Sequence, residues 1–486
     1  MTPSGSAADA LDLELAELEP SDTGNAHRLL RRFGQDLLWS AAGGWYVWTG
    51  RHWQRDDNNQ AIRLAQETTR LIHRECVHLP SQEQQQARAK WAVRSQNRAQ
   101  ILGMLEMAAP HLAIRADEFD PNPWVLNVAN GTIDLRDGDV TGHRREDRIT
   151  RLIPIPYAPG ARCPTWLRFL DEIFGANPDA EACPGEGLPG FLQRAVGYCL
   201  TGDTREQALF LLHGRGANGK STLLEVLRAL LGDYAQQTPT ETFMTKDRAG
   251  GIPNDLARLA GARFVSAVES ESGRRLAEGL IKQATGGDPI TARFLHREYF
   301  EFQPQFKLWL ATNHKPEIRG GDDGIWRRIR LIPFDVQFAD PERASPGQPV
   351  KDRTLLSRLL DGAEMQGILY WAVQGCLEWQ RTGLREPAEV LEATASYREE
   401  MDQLGDYIAE RCELAPRYCI RAGELYRDYE TWCQANGLSP LSAKAFGARL
   451  TERGLPAARG IHGRMRQGID LQEQFKQSPA RRGIDA

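Results

Sequence analysis

Residues 208–221 read Ala-Leu-Phe-Leu-Leu-His-Gly-Arg-Gly-Ala-Asn-Gly-Lys-Ser, an apolar run followed by a glycine-rich segment. Its apolar first half is typical of a buried strand, and its second half, from Gly214 to Ser221, matches the pattern G-x-x-x-x-G-K-S. Leucines then recur at helical spacing at positions 223, 224, 227, 230 and 231. Strand, glycine-rich loop and helix in this order form a P-loop, in which backbone N–H groups surround a polyphosphate. The sequence therefore predicts an α/β domain that binds a nucleoside triphosphate.

The loop supplies the predicted nucleotide-binding residues, which are Gly214, Arg215, Gly216, Ala217, Asn218, Gly219, Lys220, Ser221 and Thr222. We expect the Lys220 ammonium to reach the β- and γ-phosphates and to be needed for catalysis, and the Ser221 hydroxyl to bind Mg²⁺. ATP and Mg²⁺ are therefore the expected cofactors. A glycine-rich turn that matches by chance is the alternative, and the strand and helix patterns on either side weigh against it.

Acidic residues follow the next strand-like run, residues 263–268. Glu269 and Glu271 stand where a parallel strand ends beside a P-loop, and a carboxylate there holds Mg²⁺ through water and polarises the attacking water. Glu269 is the stronger candidate for catalysis and for the metal, and Glu271 is the second. An acid after an apolar run is by itself only a strand end, so this prediction depends on the P-loop.

Two later runs add polar groups to the predicted site. Residues 306–312 lead to Asn313, whose amide is expected to bond the γ-phosphate or to orient the attacking water. Arg327 and Arg328 precede the short run 329–334. We expect one of them to project to a neighbouring subunit as an arginine finger, and Arg328 is the one that we would test first by mutation. A surface arginine pair is the alternative interpretation.

Between these runs, residues 289–302 alternate in a way that predicts a protruding hairpin with a charged tip. Arg293, His296 and Arg297 stand at or near that tip. A hairpin that merely packs on its neighbour, with these side chains solvated, is the alternative.

The order of these motifs resembles the superfamily 3 helicases of viruses and plasmids. More narrowly, residues 255–259, 285–288, 310–316 and 326–328 are similar to segments of the phage/plasmid primase-helicase family that is related to poxvirus helicase-primases. The likeness extends from residues 130–135 to about residue 400. It implies a P-loop, AAA+-like core that works as a hexameric ring on single-stranded DNA. It also implies that Arg293, His296 and Arg297 grip the DNA.

The C-terminal region carries a basic pattern of its own. The pattern predicts a helix with one apolar face from residue 421, a second helix capped by Ser442 and a hairpin at residues 460–466. This is the order of a winged helix, and the family that the chain resembles has similar C-terminal regions. After residue 440, nine basic residues outnumber four acidic ones, which favours DNA binding over a solvated face. The candidate DNA-binding residues here are Lys444, Arg449, Arg464 and Arg466.

The length and the net charge of the chain limit how many domains it can form and how it can contact DNA. The 486 residues are enough for several domains, and a net charge of -5 requires any DNA contact to come from local basic surfaces. The predicted parts are a disordered acidic tail (1–20), an N-terminal α+β domain (21–160), a helical connector for oligomerisation (161–205), the P-loop core (206–340), a helical lid (341–413) and a winged helix with a basic tail (414–486). The eight cysteines form no C-x-x-C pair, and no apolar run spans a membrane, which predicts a protein of the cytoplasm.

Together these patterns predict an ATP-hydrolysing, ring-forming DNA helicase for replication of a phage, prophage or plasmid in the cytoplasm of a bacterial host. Its expected partners are single-stranded and forked DNA, further copies of itself, and a separate primase or host replication proteins. Primase activity is not expected, because only about twenty tail residues precede the family-like segment and they hold no Asp-x-Asp pair for two-metal nucleotidyl transfer. An ATP-switched DNA-binding initiator without processive unwinding is the alternative. A P-loop small-molecule kinase is disfavoured, because it needs neither the arginine pair nor the basic C-terminal region.

Overall fold

Helices dominate the N-terminal region. The computed structural model describes residues 5–175, 186–245, 254–268, 274–294, 298–318, 323–438, 440–460 and 463–475. In order, the first elements are α1 (Gly5–Ala16), α2 (Asp22–Phe33), β1 (Leu37–Ser40), β2 (Gly44–Trp48), β3 (Trp53–Arg55), α3 (Gln60–Leu71), α4 (Gln82–Ser95) and α5 (Arg98–Ala108). The three strands form an antiparallel sheet, and α2, α3 and α5 enclose a small core with it. Ser21 caps α2, with its hydroxyl accepting from the Gly24 N–H at 3.0 Å.

Residues 5–16 form a helix and not the disordered tail that the sequence predicts, so that prediction is wrong for these residues. The Leu15 side chain is fully buried, and the guanidinium of Arg28 donates to the carbonyl oxygens of Leu15 and Leu18 at 3.2 and 3.0 Å. Arg88 donates to the Ala16 carbonyl at 3.1 Å. The acidic composition of α1 was misleading because its carboxylates have basic partners on α2, which the local sequence does not reveal.

A β-meander follows and packs beneath the P-loop region. It consists of β4 (Val125–Val128), β5 (Gly131–Asp134) and β6 (Val140–Thr141), as the Asn-Gly and Asp-Gly turn signals predict. Two helices, α6 (Pro164–Phe174) and α7 (Gly187–Leu200), lead from it to the central sheet. Leu126, Val128 and Ile133 share one buried cluster with α6 and α7, so the meander and the central sheet belong to a continuous core.

The central sheet contains five parallel strands. Its elements and their neighbours are β7 (Leu209–His213), α8 (Lys220–Leu231), β8 (Ala235–Gln237), α9 (Asn254–Ala257), β9 (Phe264–Val268), α10 (Glu278–Gly286), β10 (Ile290–Ala292), β11 (Phe300–Phe302), β12 (Lys307–Thr312), α11 (Asp323–Trp326) and β13 (Ile329–Pro333). The order across the sheet is β13-β7-β12-β9-β8, and every neighbouring pair is parallel. The loops after β7, β12 and β9 therefore meet at one edge, where ligands bind in sheets of this type.

Successive side chains of the sheet point to opposite faces. One face presents Phe210, Leu212 and Trp309 to a core that includes α7, α8 and α13 (Gly362–Thr382). The other face presents Leu211, Leu310 and Leu331 to α10 and to α14 (Ala388–Glu400). A short helix, α12 (Leu355–Leu359), lies between the sheet and α13 in sequence. The central sheet is thus covered on both faces, as parallel sheets are.

A separate cluster forms the C-terminal module, residues 403–471. Its order is α15 (Gln403–Arg411), β14 (Cys412–Arg421), α16 (Ala422–Ala435), α17 (Ala443–Glu452), β15 (Ala457–Gly460) and β16 (Gly463–Leu471). The strands form an antiparallel sheet in the order β14-β16-β15. Ser442 caps α17, with its hydroxyl accepting from the Ala445 N–H at 3.3 Å, as predicted. None of the described helices combines the length and the apolar character that crossing a bilayer requires.

Candidate nucleotide site and nucleic-acid surfaces

The loop between β7 and α8 has the strand–loop–helix setting that the sequence predicts. Gly219 has a φ of 89°, and a Cβ there would lie 2.5 Å from Ile173. A Cβ on Gly214 would lie 2.2 Å from the Phe334 carbonyl oxygen. Ala217 has a φ of 64°, a conformation that costs a non-glycine residue energy and that persists where the surroundings hold it. The Phe338 N–H donates to the Ala217 carbonyl at 2.8 Å and so fixes this turn.

Lys220 lies at the centre of the loop and is only 6% exposed. Its ammonium donates to the Gly214 carbonyl at 2.6 Å, to Asn218 Oδ1 at 3.0 Å and to Asn313 Oδ1 at 3.2 Å. Burial lowers the pKa of Lys220 to about 8. Neutral acceptors surround this cation, so a phosphate would supply the negative charge that its environment lacks.

The remaining loop residues divide by exposure. Asn218 is buried, and its amide donates to the Phe334 carbonyl at 3.1 Å. Arg215, Gly216 and Ala217 are exposed, as is Ser221, and Thr222 is half-buried. The Ser221 hydroxyl stands on the first turn of α8, where a P-loop serine can bind Mg²⁺. At Gly214 and Gly219 the backbone leaves no space for a side chain, and the Lys220 ammonium is buried beside it. These features fit a bound polyphosphate, and the Ser221 hydroxyl fits its Mg²⁺.

Asn313 follows β12, as predicted, and its contact with Lys220 brings the two predicted residues together. The register explains this contact, since Thr312 pairs with His213 directly before the loop. The Thr312 hydroxyl accepts from the His314 N–H at 3.0 Å and tightens the turn after the strand. Asn313 is itself exposed, so its amide is accessible to a ligand.

The predicted acids Glu269 and Glu271 lie outside the described residues. The strand that precedes them is described, and its last residue, Val268, pairs with Ala311 of β12. The chain thus leaves β9 at the same edge of the sheet as the P-loop. Among the described residues, no group of three or more His, Cys, Asp or Glu is placed to hold a metal ion.

The two adjacent arginines have different surroundings. Arg328 is 7% exposed, and its guanidinium donates to the Thr285 hydroxyl at 3.1 Å and to the Gly324 carbonyl. Arg327 is exposed and has a long contact of 3.4 Å with Gln207. The expectation that Arg328 projects from the subunit is therefore wrong, because its side chain points into the core between α10 and β13. Arg327 is the outward-facing member of the pair.

A cavity of about 530 Å³ adjoins the loop. It is lined by Phe169 and Phe338 together with charged residues that include Arg168, Glu172 and Arg358. Both aromatic residues also contact the P-loop, since Phe338 bonds the Ala217 carbonyl and a Cβ on Gly219 would lie 3.3 Å from Phe169. The cavity is large enough for a nucleoside. No local pattern in the sequence marks its walls, because they come from α6 and from residues 338–358, which follow about 170 residues later and include part of α12.

The hairpin predicted between β9 and β12 is confirmed by the antiparallel pair β10 and β11. Arg293 is exposed, and its guanidinium lies 4.9 Å from the centre of the Tyr299 ring. His296 and Arg297 lie outside the described residues. Arg293 directly follows β10, and its role in gripping DNA stays a prediction.

The four predicted DNA-binding residues of the C-terminal module differ in exposure. Lys444 and Arg464 are exposed. Arg449 is half-buried, and burial lowers the pKa of its guanidinium. Arg466 is 7% exposed and donates to the Thr451 hydroxyl at 2.7 Å and to the Leu455 carbonyl at 3.0 Å. The prediction that Arg466 binds DNA is therefore wrong, because its donors connect β16 to α17 inside the module.

Comparison with known families gives three matches along the chain. Residues 26–175 match the family described as D5 N terminal like. Residues 212–328 match a family of unknown function. Residues 399–454 match the family described as Poxvirus D5 protein-like. The first match precedes the strands of the central sheet in the sequence and the third follows them. Both support the predicted similarity to poxvirus helicase-primases.

Similar proteins occur in large DNA viruses. A putative helicase of Acanthamoeba polyphaga mimivirus is 30% identical over 332 residues, which cover 65% of this chain and 34% of that protein. A putative helicase of Frog virus 3 (isolate Goorha) is 25% identical, over 66% of this chain and 40% of that protein. A putative primase of African swine fever virus is 23% identical, over 65% of this chain and 34% of that protein. The chain thus spans between about a third and two fifths of the length of these relatives.

Among solved structures, the apo form of the NrS-1 C-terminal region matches 65% of this chain and 79% of that chain. The sequences are 11% identical and the TM-score is 0.39.

Proposed function

We propose that this protein is an ATP-driven DNA helicase that acts in DNA replication. The observation that carries this proposal is the arrangement around Lys220, whose ammonium joins the P-loop to Asn313 at the carboxyl edge of a parallel sheet. This arrangement suits a triphosphate bound by the loop, with its terminal phosphate next to Asn313. Relatives named as putative helicases support the choice of reaction.

In this proposal, the loop binds the phosphates and the adjoining cavity receives the nucleoside of ATP. Ser221 and Glu269 would hold Mg²⁺, which neutralises charge on the phosphates when it is bound. Lys220 exchanges its neutral acceptors for phosphate oxygens, and Asn313 orients the attacking water or bonds the γ-phosphate. Glu269, or Glu271 as the second candidate, polarises that water.

Arg327 supplies the transition-state cation from a neighbouring subunit. It precedes β13, whereas the P-loop follows β7, and these parallel strands run side by side for five residues. A strand of that length is about 16 Å long, so Arg327 and the P-loop of its own subunit lie at opposite edges of the sheet. A ring of subunits solves this separation, because the outward-facing arginine of one subunit can reach the site of the next. We predict a ring of six subunits.

Two surfaces would contact DNA. The hairpin β10–β11 would grip single-stranded DNA in the channel of the ring through Arg293 and through His296 and Arg297, which stand between the two strands in the sequence. The C-terminal module has the helix, strand, helix, helix, strand, strand order of a winged helix, with Lys444 and Arg464 on its surface. Such contacts would be made mainly to phosphates and would depend on salt.

The decisive experiment measures strand displacement. Purified protein is incubated with ATP, Mg²⁺ and a forked DNA that carries one labelled strand, and ATP turnover is followed with and without single-stranded DNA. A helicase displaces the strand only with hydrolysable ATP, and Lys220→Ala abolishes both turnover and displacement. ATP-dependent DNA binding without displacement would favour the alternative of a replication initiator. Loss of turnover in Glu271→Gln together with a normal rate in Glu269→Gln would reverse our assignment of the two acids.

A further inference from the structure

The last turn of α14 contacts two segments that are separate in sequence and that each lead to a residue of the proposed site. Tyr397 is fully buried in this turn. It belongs to the cluster beneath the face of the sheet that includes Leu310 and Leu331. The Leu331 N–H donates to the Thr394 hydroxyl at 3.0 Å, which anchors α14 on β13. The helix is therefore held to the sheet before its last turn reaches the site.

On one side, this turn holds the short loop that carries Asn313. The Tyr397 hydroxyl donates to the Pro316 carbonyl. The Lys315 ammonium lies 5.6 Å from the centre of the Tyr397 ring and 2.6 Å from a carboxylate oxygen of Glu400. Residues 315 and 316 are thus tied to α14 by a hydrogen bond, an ion pair and a cation–π contact. Asn313, two residues earlier, depends on this loop for its position beside Lys220.

On the other side, the same turn holds the segment that leads to Arg327. The Trp326 ring meets the Tyr397 ring edge to face, with 5.2 Å between centroids. Arg398 pairs with Asp323, the first residue of α11. Arg327 directly follows Trp326, so the backbone that presents the proposed finger rests on Tyr397.

We infer that Tyr397 is a positioning residue that sets Asn313 and Arg327 in a fixed relation to each other. This inference rests on the proposed function, since it links Asn313 of one proposed ATPase site to Arg327, which would serve the site of the next subunit. Tyr397 touches no phosphate; it acts through the Pro316 carbonyl and through Trp326. Because two residues after Glu400 the chain reaches Asp402, which caps α15, the same turn also connects the site to the C-terminal module.

The test compares Tyr397→Phe with Tyr418→Phe. The first change removes only the hydroxyl that bonds Pro316 and keeps the ring contacts with Trp326 and Lys315. The second removes an exposed tyrosine hydroxyl, which bonds Glu413 at 2.7 Å on β14, and serves as the matched control. We expect Tyr397→Phe to lower kcat for ATP about tenfold with KM changed less than about twofold, because binding residues stay in place while Asn313 shifts. Tyr397→Leu should fall further, because it also removes the ring.

Thermal unfolding of each variant is measured alongside. A lowered Tm with kcat equal to that of the Tyr418→Phe control would overturn the inference, because a purely structural residue changes stability alone. If Tyr397→Phe does not fold, Lys315→Met provides the test, since Lys315 is partly exposed and Met keeps the length of the side chain. Normal kcat in Lys315→Met would then overturn the inference. Absence of ATP turnover in the wild-type protein would instead refute the proposed function.

Discussion

Lys220 is a buried cation whose nearest partners are all neutral oxygens. Burial lowers its pKa to about 8, so the free protein loses this proton as the pH rises through that value. A bound triphosphate stabilises the charged form and raises the pKa again. Nucleotide binding at pH 8.5 should therefore take up a proton, whereas binding at pH 7 should take up much less.

Titration calorimetry in two buffers with different ionisation enthalpies measures this uptake. Lys220→Arg is the control, because a guanidinium keeps its proton at both pH values. Burial, together with Lys315 and Lys220, lowers the pKa of the neighbouring His213, so any uptake by this histidine belongs to more acidic solutions. Equal uptake by the wild-type protein and by Lys220→Arg at pH 8.5 would contradict the assignment to Lys220.

Individual site residues differ in how well the sequence predicts them. The P-loop residues form one continuous pattern, and Asn313 follows an apolar strand, so their meeting at one edge follows from parallel pairing. Arg327 and Arg328 are adjacent and chemically identical, and both lie in the turn between α11 and β13, where no helix or strand period indicates which of them faces inward. The hydrogen bonds of Arg328 to Thr285 on α10 and to Gly324 on α11 show that Arg328 is the residue that faces inward.

At the scale of elements, α1 is held by a buried cluster of charges. Glu75 accepts from Arg28 at 2.8 Å and also binds Arg88, and all three side chains are buried. Glu75→Gln would leave the two guanidinium groups without a counter-charge, and we expect it to lower the free energy of unfolding by about 3–5 kcal/mol. Urea denaturation followed by tryptophan fluorescence measures this change.

The control for the cluster is Glu14→Gln. Glu14 pairs with Arg31 at 2.6 Å on the surface, where both side chains are at least half exposed, and exposed pairs contribute little. We expect no measurable loss of stability from this change. Similar unfolding curves for the two variants would show that the buried cluster does not hold α1. Composition alone predicted disorder here, because it registers the acids of α1 without their partners on α2.

The C-terminal module offers a second test at this scale. Lys444→Ala and Arg464→Ala should each weaken DNA binding for every sequence and lower the salt slope by about one unit, as expected for phosphate contacts. Arg466→Met should instead destabilise the module, because it removes the bonds from β16 to Thr451 and Leu455. Fluorescence anisotropy at several salt concentrations and thermal unfolding separate the two effects. A large change in salt slope for Arg466→Met in a folded module would contradict this division.

A cap and the spacing of apolar residues made α8, α16 and α17 predictable, whereas the interior partners of the module's arginines were not. Ser442 and Gly454 bound α17 as the sequence indicates. Arg449 and Arg466 were assigned to DNA because basic residues cluster in this region. Their burial depends on how α17 packs on β16, which a local pattern does not determine.

For the whole molecule, the positions of Arg327 and Lys220 predict complementation between subunits. Mixed rings of Lys220→Ala and Arg327→Ala subunits should recover part of the ATP turnover, because some interfaces combine an intact loop with an intact finger. Rings of Lys220→Ala and Asn313→Ala subunits are the control, since both changes damage the same half of the site and no interface is intact. Equal turnover in the two mixtures, in assemblies shown to contain both subunits, would contradict a shared site.

The position of β12 between β7 and β9 has a consequence for hydrolysis itself. Neighbouring strands lie about 4.8 Å apart, so the carboxyl ends of β7 and β9, with β12 between them, lie about 9.6 Å apart. In the proposed ATPase, the carboxylate that follows β9 would polarise a water molecule, and this water would attack the terminal phosphate held by the loop. In that case the inserted strand would act as a spacer that leaves room for one phosphoryl group and one water molecule, with Asn313 at its end.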